Sequence, residues 1–195
     1  MASPTKYIKV LVGLASIIFL SACKDPYTTP ENLVCKENEP CIVENSCKTI
    51  LAPRRAFAGE TYDIDGETYT VVCNLLIREM INNEDDISRV ITTLVTDMSG
   101  LFELRSEFNV DISNWDVSNV TNMESLFKGA SSFNQDISCW DVNNVADMSG
   151  MFDGASNFNQ DLSGWNVDKV TTCTDFAANT DTWILQKPKL TNCTP

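Results

Sequence analysis

The stretch that decides the fold is residues 120–144, VTNMESLFKGASSFNQDISCWDVNN, because a version of it stands on either side without a gap. Residues 95–119 are VTDMSGLFELRSEFNVDISNWDVSN, and residues 145–169 are VADMSGMFDGASNFNQDLSGWNVDK. A decaying fourth copy begins at Val170. The first two copies share 15 of 25 positions, whereas unrelated sequences would share roughly one or two, so the chain contains an internal repeat.

A period of 25 residues lies in the range of leucine-rich repeats. Repeats of this size stack, because a single unit cannot bury its own apolar face. The sequence therefore predicts an α/β solenoid: a short, leucine-rich-repeat-like stack of strand-plus-helix repeats with an N-terminal hairpin/helix cap.

The first half of each copy has the pattern of a short helix. In the second copy, apolar residues follow at helical spacing from Val120 to Ala130. Gly129 and Gly154 stand where a helix would end on a residue with positive φ. We therefore expect a helix of two to three turns that ends at the glycine. One such helix per copy would begin after an N-cap residue, and these N-cap residues are Thr93, Ser118, Asn143 and Asp168.

The second half of each copy alternates like a strand. In Phe133–Ser138, Phe133 and Ile137 share one face, while Asn134, Asp136 and Ser138 share the other. Residues 108–113 and 158–163 repeat the pattern, so neighbouring copies would pair as parallel strands. The polar face would then carry a grid of Asn109, Asn134, Asn159, Asp111, Asp136, Asp161, Ser113, Ser138 and Ser163.

This grid is a candidate ligand or cation ladder. Stacked carboxylates repel one another, and a divalent cation or a network of sugar hydroxyls would relieve the repulsion. The alternative is that each Asn or Asp bonds to turn backbone inside the repeat. We favour the structural role, because identical residues in every copy usually serve the repeat itself.

Three other features have both a structural and a functional interpretation. Trp115, Trp140 and Trp165 recur once per copy, and core packing is a better interpretation than an exposed carbohydrate platform. Cys139 would be a buried inert thiol or a reactive one. A variable ridge differs between copies and is either a partner-specific surface or unconstrained solvent-facing sequence; it comprises Glu103, Arg105, Glu107, Lys128, Asp153 and Asn157.

The flanking segments are expected to anchor and cap the repeats. Residues 1–22 have the pattern of a signal peptide, and Leu20–Cys23 (LSAC) resembles a bacterial lipobox, which predicts lipidation of Cys23. Asp65-Gly66 predicts a hairpin, followed by an amphipathic helix around Leu75–Ile81. Trp183–Leu185 would form a last strand.

The chain is expected to divide, after the signal peptide, into five parts. These are 23–33 as lipidated Cys and tether, 34–58 as a Cys-containing segment, 59–94 as hairpin and helix cap, 95–177 as repeats and 178–195 as C-terminal cap.

Composition excludes several classes of function. The chain has 27 acidic and 14 basic residues, a net charge of −13 and no histidine. Histidine-based catalysis and metal sites are therefore excluded. Nucleic acid is not an expected partner, because its recognition requires clustered Lys and Arg. The carboxylates recur at repeat positions and not as an isolated pair, so we do not expect an enzyme.

The repeat resembles a known family. The Met, Phe, Gly-Ala-Ser, Phe-Asn-Gln-Asp and Trp-Asp-Val-Ser-Asn-Val-Thr-Asn-Met motifs resemble a bacterial surface-protein repeat of about 25 residues. That repeat occurs in mycoplasma-type lipoproteins and is grouped with BspA-like leucine-rich repeats; the resemblance covers roughly 61–187. It implies a surface-exposed lipoprotein with adhesion or ligand binding and no defined catalytic residues. Cys139 and Cys173 depart from the pattern.

In an exported protein the cysteines are expected to form disulfides. Cys173 and Cys193 are 20 residues apart, which allows the tail to fold back over the last copy. We predict this pair as a disulfide and Cys139 as free. Cys35, Cys41, Cys47 and Cys73 would pair among themselves in an order that stays open.

The expected function is that of a non-catalytic lipoprotein of the bacterial cell envelope, at the outer membrane or cell surface. It would display the repeats for ligand binding or adhesion; the alternative is a passive structural or envelope-assembly module. The expected partners are the membrane, through Cys23, and an unknown protein or carbohydrate ligand. We expect a monomer with no cofactor and no metal.

Overall fold

The structure is a computed structural model that describes residues 39–42, 48–53 and 55–195. Within these ranges, all of the strands and the one helix lie before the first repeat. Two short strands pair antiparallel, and three more form a mixed sheet in the order β3-β4-β5. The elements are β1 (Cys41–Ile42), β2 (Ile50–Leu51), β3 (Thr61–Ile64), β4 (Glu67–Cys73), α1 (Asn74–Asn82) and β5 (Val90–Leu94).

The predicted hairpin and helix are confirmed. β3 and β4 pair antiparallel around Asp65 and Gly66, whose φ angles of 52° and 88° are those of a type I′ turn. α1 follows directly and buries Ile77 and Ile81 on its inner face. The chain then forms β5, which runs parallel to β4. The first copy begins at the next residue, Val95.

The predicted fold class, an α/β solenoid of strand-plus-helix repeats, is wrong. Among the described residues α1 is the one α-helix, and no helix or strand lies in 95–195. The strands expected at 108–113, 133–138, 158–163 and Trp183–Leu185 are absent from this part of the chain. In the residues that the structure describes, the regular elements are α1, the three-stranded mixed sheet and the short β1–β2 pair.

Tight turns replace the expected helix. Leu101 N–H donates to Met98 O within the copy at 3.3 Å, but Gly100 N–H donates to Glu124 O of the next copy at 2.8 Å. Alternate N–H groups thus leave the copy, whereas in an α-helix all of them bond within it. The same bonds to the following copy are donated by Met98, Phe102, Leu104, Met123, Ser125, Phe127, Gly129, Met148, Gly150, Phe152 and Gly154.

Left-handed residues explain why the helix does not form. Gly100, Ser125 and Gly150 occupy the same repeat position with φ of 61°, 54° and 59°. A single left-handed residue stops an α-helix from propagating. The positive φ expected at Gly129 and Gly154 is present, at 68° and 73°.

Aromatic side chains stack from copy to copy in the core. The ring centroids of Phe102 and Phe127 lie 5.7 Å apart, and those of Phe127 and Phe152 lie 5.5 Å apart. Trp183 packs at the end of this column, with its ring 5.1 Å from that of Phe152. The core therefore continues through all copies and ends under the C-terminal segment.

Candidate functional site

The asparagines of the predicted ladder join one copy to the next. Asn134 N–H donates to Asn109 Oδ1 at 3.0 Å, and Asn159 N–H donates to Asn134 Oδ1 at 2.9 Å. Gln135 Nε2 also donates to Asn109 Oδ1, at 2.9 Å. At the far end, Ile184 N–H donates to Asn159 Oδ1 at 2.9 Å. The side-chain oxygens are engaged in holding the copies together.

The aspartates of the ladder cap turns within their own copies. The backbone N–H groups of Ser113, Ser138 and Ser163 donate to Asp111, Asp136 and Asp161 at 2.9, 3.0 and 2.9 Å. The hydrogen bonds from Ser163 lower the pKa of Asp161 below its ordinary value. In the described part of the chain, no group of three or more Cys, His, Asp or Glu side chains is arranged to hold a metal ion.

The three repeated tryptophans belong to the core. Trp115, Trp140 and Trp165 are only 1%, 4% and 5% exposed, so they form no carbohydrate platform. Trp140 Nε1 donates to Ile112 O at 3.3 Å, and Trp165 Nε1 donates to Ile137 O at 3.2 Å. The predicted core packing is confirmed.

Within the described part of the chain, two buried polar atoms of the first copy have no hydrogen-bond partner: Trp115 Nε1 and Asp116 Oδ2. Asp116 Oδ1 accepts bonds from the N–H and the hydroxyl of Ser118, at 3.0 and 2.6 Å. Burial nevertheless raises the pKa of Asp116, against the opposing effect of these hydrogen bonds. Its counterparts Asp141 and Asn166 are exposed.

The variable ridge borders a pocket in the first copy. This first-copy pocket lies between α1 and the first copy and has a volume of about 260 Å³. The ridge contributes Glu103 and Arg105, while Lys128 and Asp153 form an ion pair further along, with Nζ 3.6 Å from Oδ2. The pocket is lined by Arg78, Ile81, Asn82, Gly100, Leu101, Glu103, Leu104 and Arg105.

Two arginines flank the first-copy pocket. Arg78, on α1, donates through Nη1 to Ser99 O at 2.8 Å and lies 3.7 Å from Asp97 Oδ2. Arg105 donates through Nη2 to Asn82 Oδ1 at 3.1 Å. Each guanidinium carries five N–H donors, so both have donors left for a ligand.

Leu104 forms part of the wall of this pocket and is unusual in two ways. Its side chain is 75% exposed, and its φ is 59°, in the left-handed region. The equivalent residues of the later copies are Gly129, Gly154 and Asn179, types that tolerate positive φ. Periodicity and motifs do not identify Leu104, Arg78 and Asn82 as pocket residues. The available signal was a leucine at a repeat position otherwise occupied by Gly and Asn.

The cysteine predictions are confirmed in part. Cys173 and Cys193 form a disulfide, as predicted. Cys139 is also disulfide-bonded, so the prediction that it is free is wrong. Repeat periodicity does not show that the chain around Ile50 lies against the repeats, where Ile50 N–H donates to Asn114 O, one period before Cys139, at 3.2 Å. Cys73 is disulfide-bonded as well.

The predicted signal peptide, the lipidated Cys23, the tether and Cys35 lie outside the described residues, as do Cys47 and the side chain of Cys41. Among the described helices, none has the length and apolarity needed to cross a bilayer.

Comparison with known proteins identifies the repeat region. Residues 73–187 match the family model described as Mycoplasma protein of unknown function, DUF285. No curated protein and no solved structure matches the chain. The match begins at the end of β4 and covers α1, β5, the repeats and Trp183. Because it spans more than half of the chain, this protein belongs to the DUF285 family of Mycoplasma proteins.

Proposed function

We propose that this protein is a non-catalytic, ligand-binding lipoprotein of the bacterial cell envelope. The lipobox-like sequence Leu20–Cys23 supports anchoring through a lipidated Cys23. The first-copy pocket is the proposed binding site. The repeat motifs further support a place among BspA-like surface proteins, where adhesion to a protein or carbohydrate would be the role.

The observation that carries the binding proposal is the conformation of Leu104. A left-handed leucine costs about 1–2 kcal/mol of backbone strain, and its exposed side chain gains little from packing in return. Glycine at the same position serves the second and third copies without this strain. A strained, exposed apolar residue beside a pocket is typical of a site kept for function and not for stability.

A passive structural or envelope-assembly module is the second candidate. The ladder side chains of Asn109, Asn134 and Asn159 support it, because they bond within the protein. It differs from the binding proposal in one outcome: the pocket residues would then be dispensable in the cell.

A binding screen with matched variants tests the proposal. The domain is screened against glycans and envelope or matrix proteins, alongside the variants Leu104→Ala and Ile184→Ala. Both residues are exposed, at 75% and 82%, but Ile184 lies at the opposite end of the repeats. We expect a ligand whose binding falls at least about tenfold in Leu104→Ala and is unchanged in Ile184→Ala. A blank screen, with an envelope defect on deletion that Leu104→Ala rescues fully, would favour the structural module.

Anchoring is tested separately. Cys23→Ser should move the protein from the membrane fraction to a soluble secreted form. Protease shaving of intact cells should remove the wild-type protein if it is displayed at the surface. Retention of the Cys23→Ser variant in the membrane fraction would contradict the lipid anchor.

A further inference from the structure

In the turn segment, the two edges of each copy present different backbone groups: carbonyls face the preceding copy, and N–H groups face the following copy. Over the turn segment of the second copy, the carbonyls of Leu126 and Lys128 face the preceding copy, where they accept the N–H groups of Phe102 and Leu104 at 3.0 and 2.7 Å. The same pairing recurs twice. Phe127 and Gly129 donate to Met151 O and Asp153 O, and Phe152 and Gly154 donate to Phe176 O and Ala178 O.

The first copy has the same carbonyl edge without a preceding copy. Its equivalent acceptors are Leu101 O and Glu103 O, and no N–H group of the described chain donates to either. α1 covers the start of this edge, where Arg78 Nη1 reaches Ser99 O at 2.8 Å. Leu101 and Glu103 line the first-copy pocket, together with Ile81 and Asn82 of α1.

We propose that the first-copy pocket binds a peptide segment of a partner protein in the turn conformation of residues 98–104, which donates two alternate backbone N–H groups to Leu101 O and Glu103 O. This inference rests on the proposed function and names the ligand class of its site. The peptide would add one further rung to the hydrogen-bond ladder that joins the copies, as strand addition does at a sheet edge.

The rest of the pocket suits the other groups of a peptide. The unused guanidinium donors of Arg78 and Arg105 can bind its carbonyls. Leu104 and the buried Ile81 offer apolar surface to one of its side chains. A peptide is favoured over a saccharide because the acceptors lie two residues apart, at the spacing that backbone donors already match in every later copy.

A capped peptide with the sequence of residues 98–104, MSGLFEL, is the appropriate probe. These residues already present alternate N–H donors to the second copy. The binding of acetyl-MSGLFEL-amide to the mature protein is followed by the NMR shifts of the Phe102 and Leu104 amides, which adjoin the two carbonyls. We expect saturable shifts that weaken about tenfold when the fifth and seventh peptide nitrogens are methylated.

Methylation of the second nitrogen is the control, because Ser99 N–H bonds to Asp97 Oδ1, outside residues 98–104, so the methyl group leaves both donors and the bonds of the turn intact. It should change the affinity less than threefold. On the protein side, Leu104→Ala should weaken binding and Ile184→Ala should not. Equal losses from the two methylation patterns, or no shifts at millimolar peptide, would overturn the inference. A glycan that shifts these amides when the peptide does not would leave the proposed function standing, whereas a pocket that binds neither would contradict both.

Discussion

The side-chain oxygen of Asn134 accepts the backbone N–H of Asn159, the residue one period later, at 2.9 Å. Gln160 Nε2 donates to the same oxygen, also at 2.9 Å. An asparagine side chain thus takes the place of the backbone carbonyl that a strand would supply. This explains why residues 133–138 and 158–163 are adjacent without forming a sheet.

We predict that Asn134→Ala lowers the free energy of unfolding by about 1–2 kcal/mol, because two hydrogen bonds between copies are lost. Urea denaturation measures the change. Asp136→Ala is the control, since Asp136 caps only its own turn at Ser138 and should cost less. A larger loss from Asp136→Ala would contradict the ranking.

The sequence predicted the repeat, its apolar core positions and the hairpin, because these depend on period and turn chemistry. The sequence could not predict that alternate backbone N–H groups of each copy donate to the following copy. Residues 120–130 have helical spacing, but Ser125 adopts a left-handed conformation that only its glycine counterparts Gly100 and Gly150 would have suggested. Bonds between copies then replace the helical bonds.

The candidate site was less predictable than the repeat. Identical recurrence of the Asn and Asp ladder predicts a structural role, and hydrogen bonds such as those from Asn159 N–H to Asn134 and from Ser138 N–H to Asp136 support that interpretation. The first-copy pocket lies between α1 and the first copy. Arg78 and Arg105 are far apart in the sequence and line the same pocket only in the folded chain. The period of the repeat likewise gives no indication that Ile50 N–H donates to Asn114 O.

Relief of strain at Leu104 gives a second prediction. Leu104→Gly should raise the free energy of unfolding by about 0.5–1 kcal/mol, because the lost strain exceeds the added flexibility of the unfolded chain. Gly154→Ala should lower it by about 1 kcal/mol, since its Cβ would meet only ordinary contacts, the nearest at 3.6 Å. Thermal and urea unfolding test both. A destabilised Leu104→Gly variant would show that Leu104 packs and is not strained.

Asp116 gives a pH-dependent prediction. Its pKa is raised in the folded state, mainly by burial, so the folded protein binds this proton more tightly than the unfolded chain. The buried carboxylate therefore destabilises the protein above its folded-state pKa, and this effect disappears as the pH falls below the unfolded value of about 3.9. Asp116→Asn should raise the free energy of unfolding at pH 7 by roughly 1–3 kcal/mol.

The difference between Asp116→Asn and wild type should shrink as the pH is lowered. Asn166 shows that asparagine can cap this turn, because its Oδ1 accepts Asp168 N–H at 3.1 Å. Asp141→Asn is the control at the exposed counterpart and should change the stability by less than about 0.5 kcal/mol. A stability gain for Asp116→Asn that is independent of pH would contradict this explanation.

The disulfide between Cys173 and Cys193 should stabilise the end of the repeats. It fastens the tail over the last copy, where Leu190 packs against the core. The double variant Cys173→Ser/Cys193→Ser should lose about 3 kcal/mol of unfolding free energy, the chain-entropy value for a loop of this size. Amide exchange should increase around Leu190 and Trp183 but not around α1, because α1 lies at the other end of the repeats.

Asn192→Ala is the control for the disulfide variant, since it removes one exposed hydrogen bond of the tail, to Asp168 O, and keeps the disulfide. A double variant no less stable than Asn192→Ala would show that packing alone holds the tail.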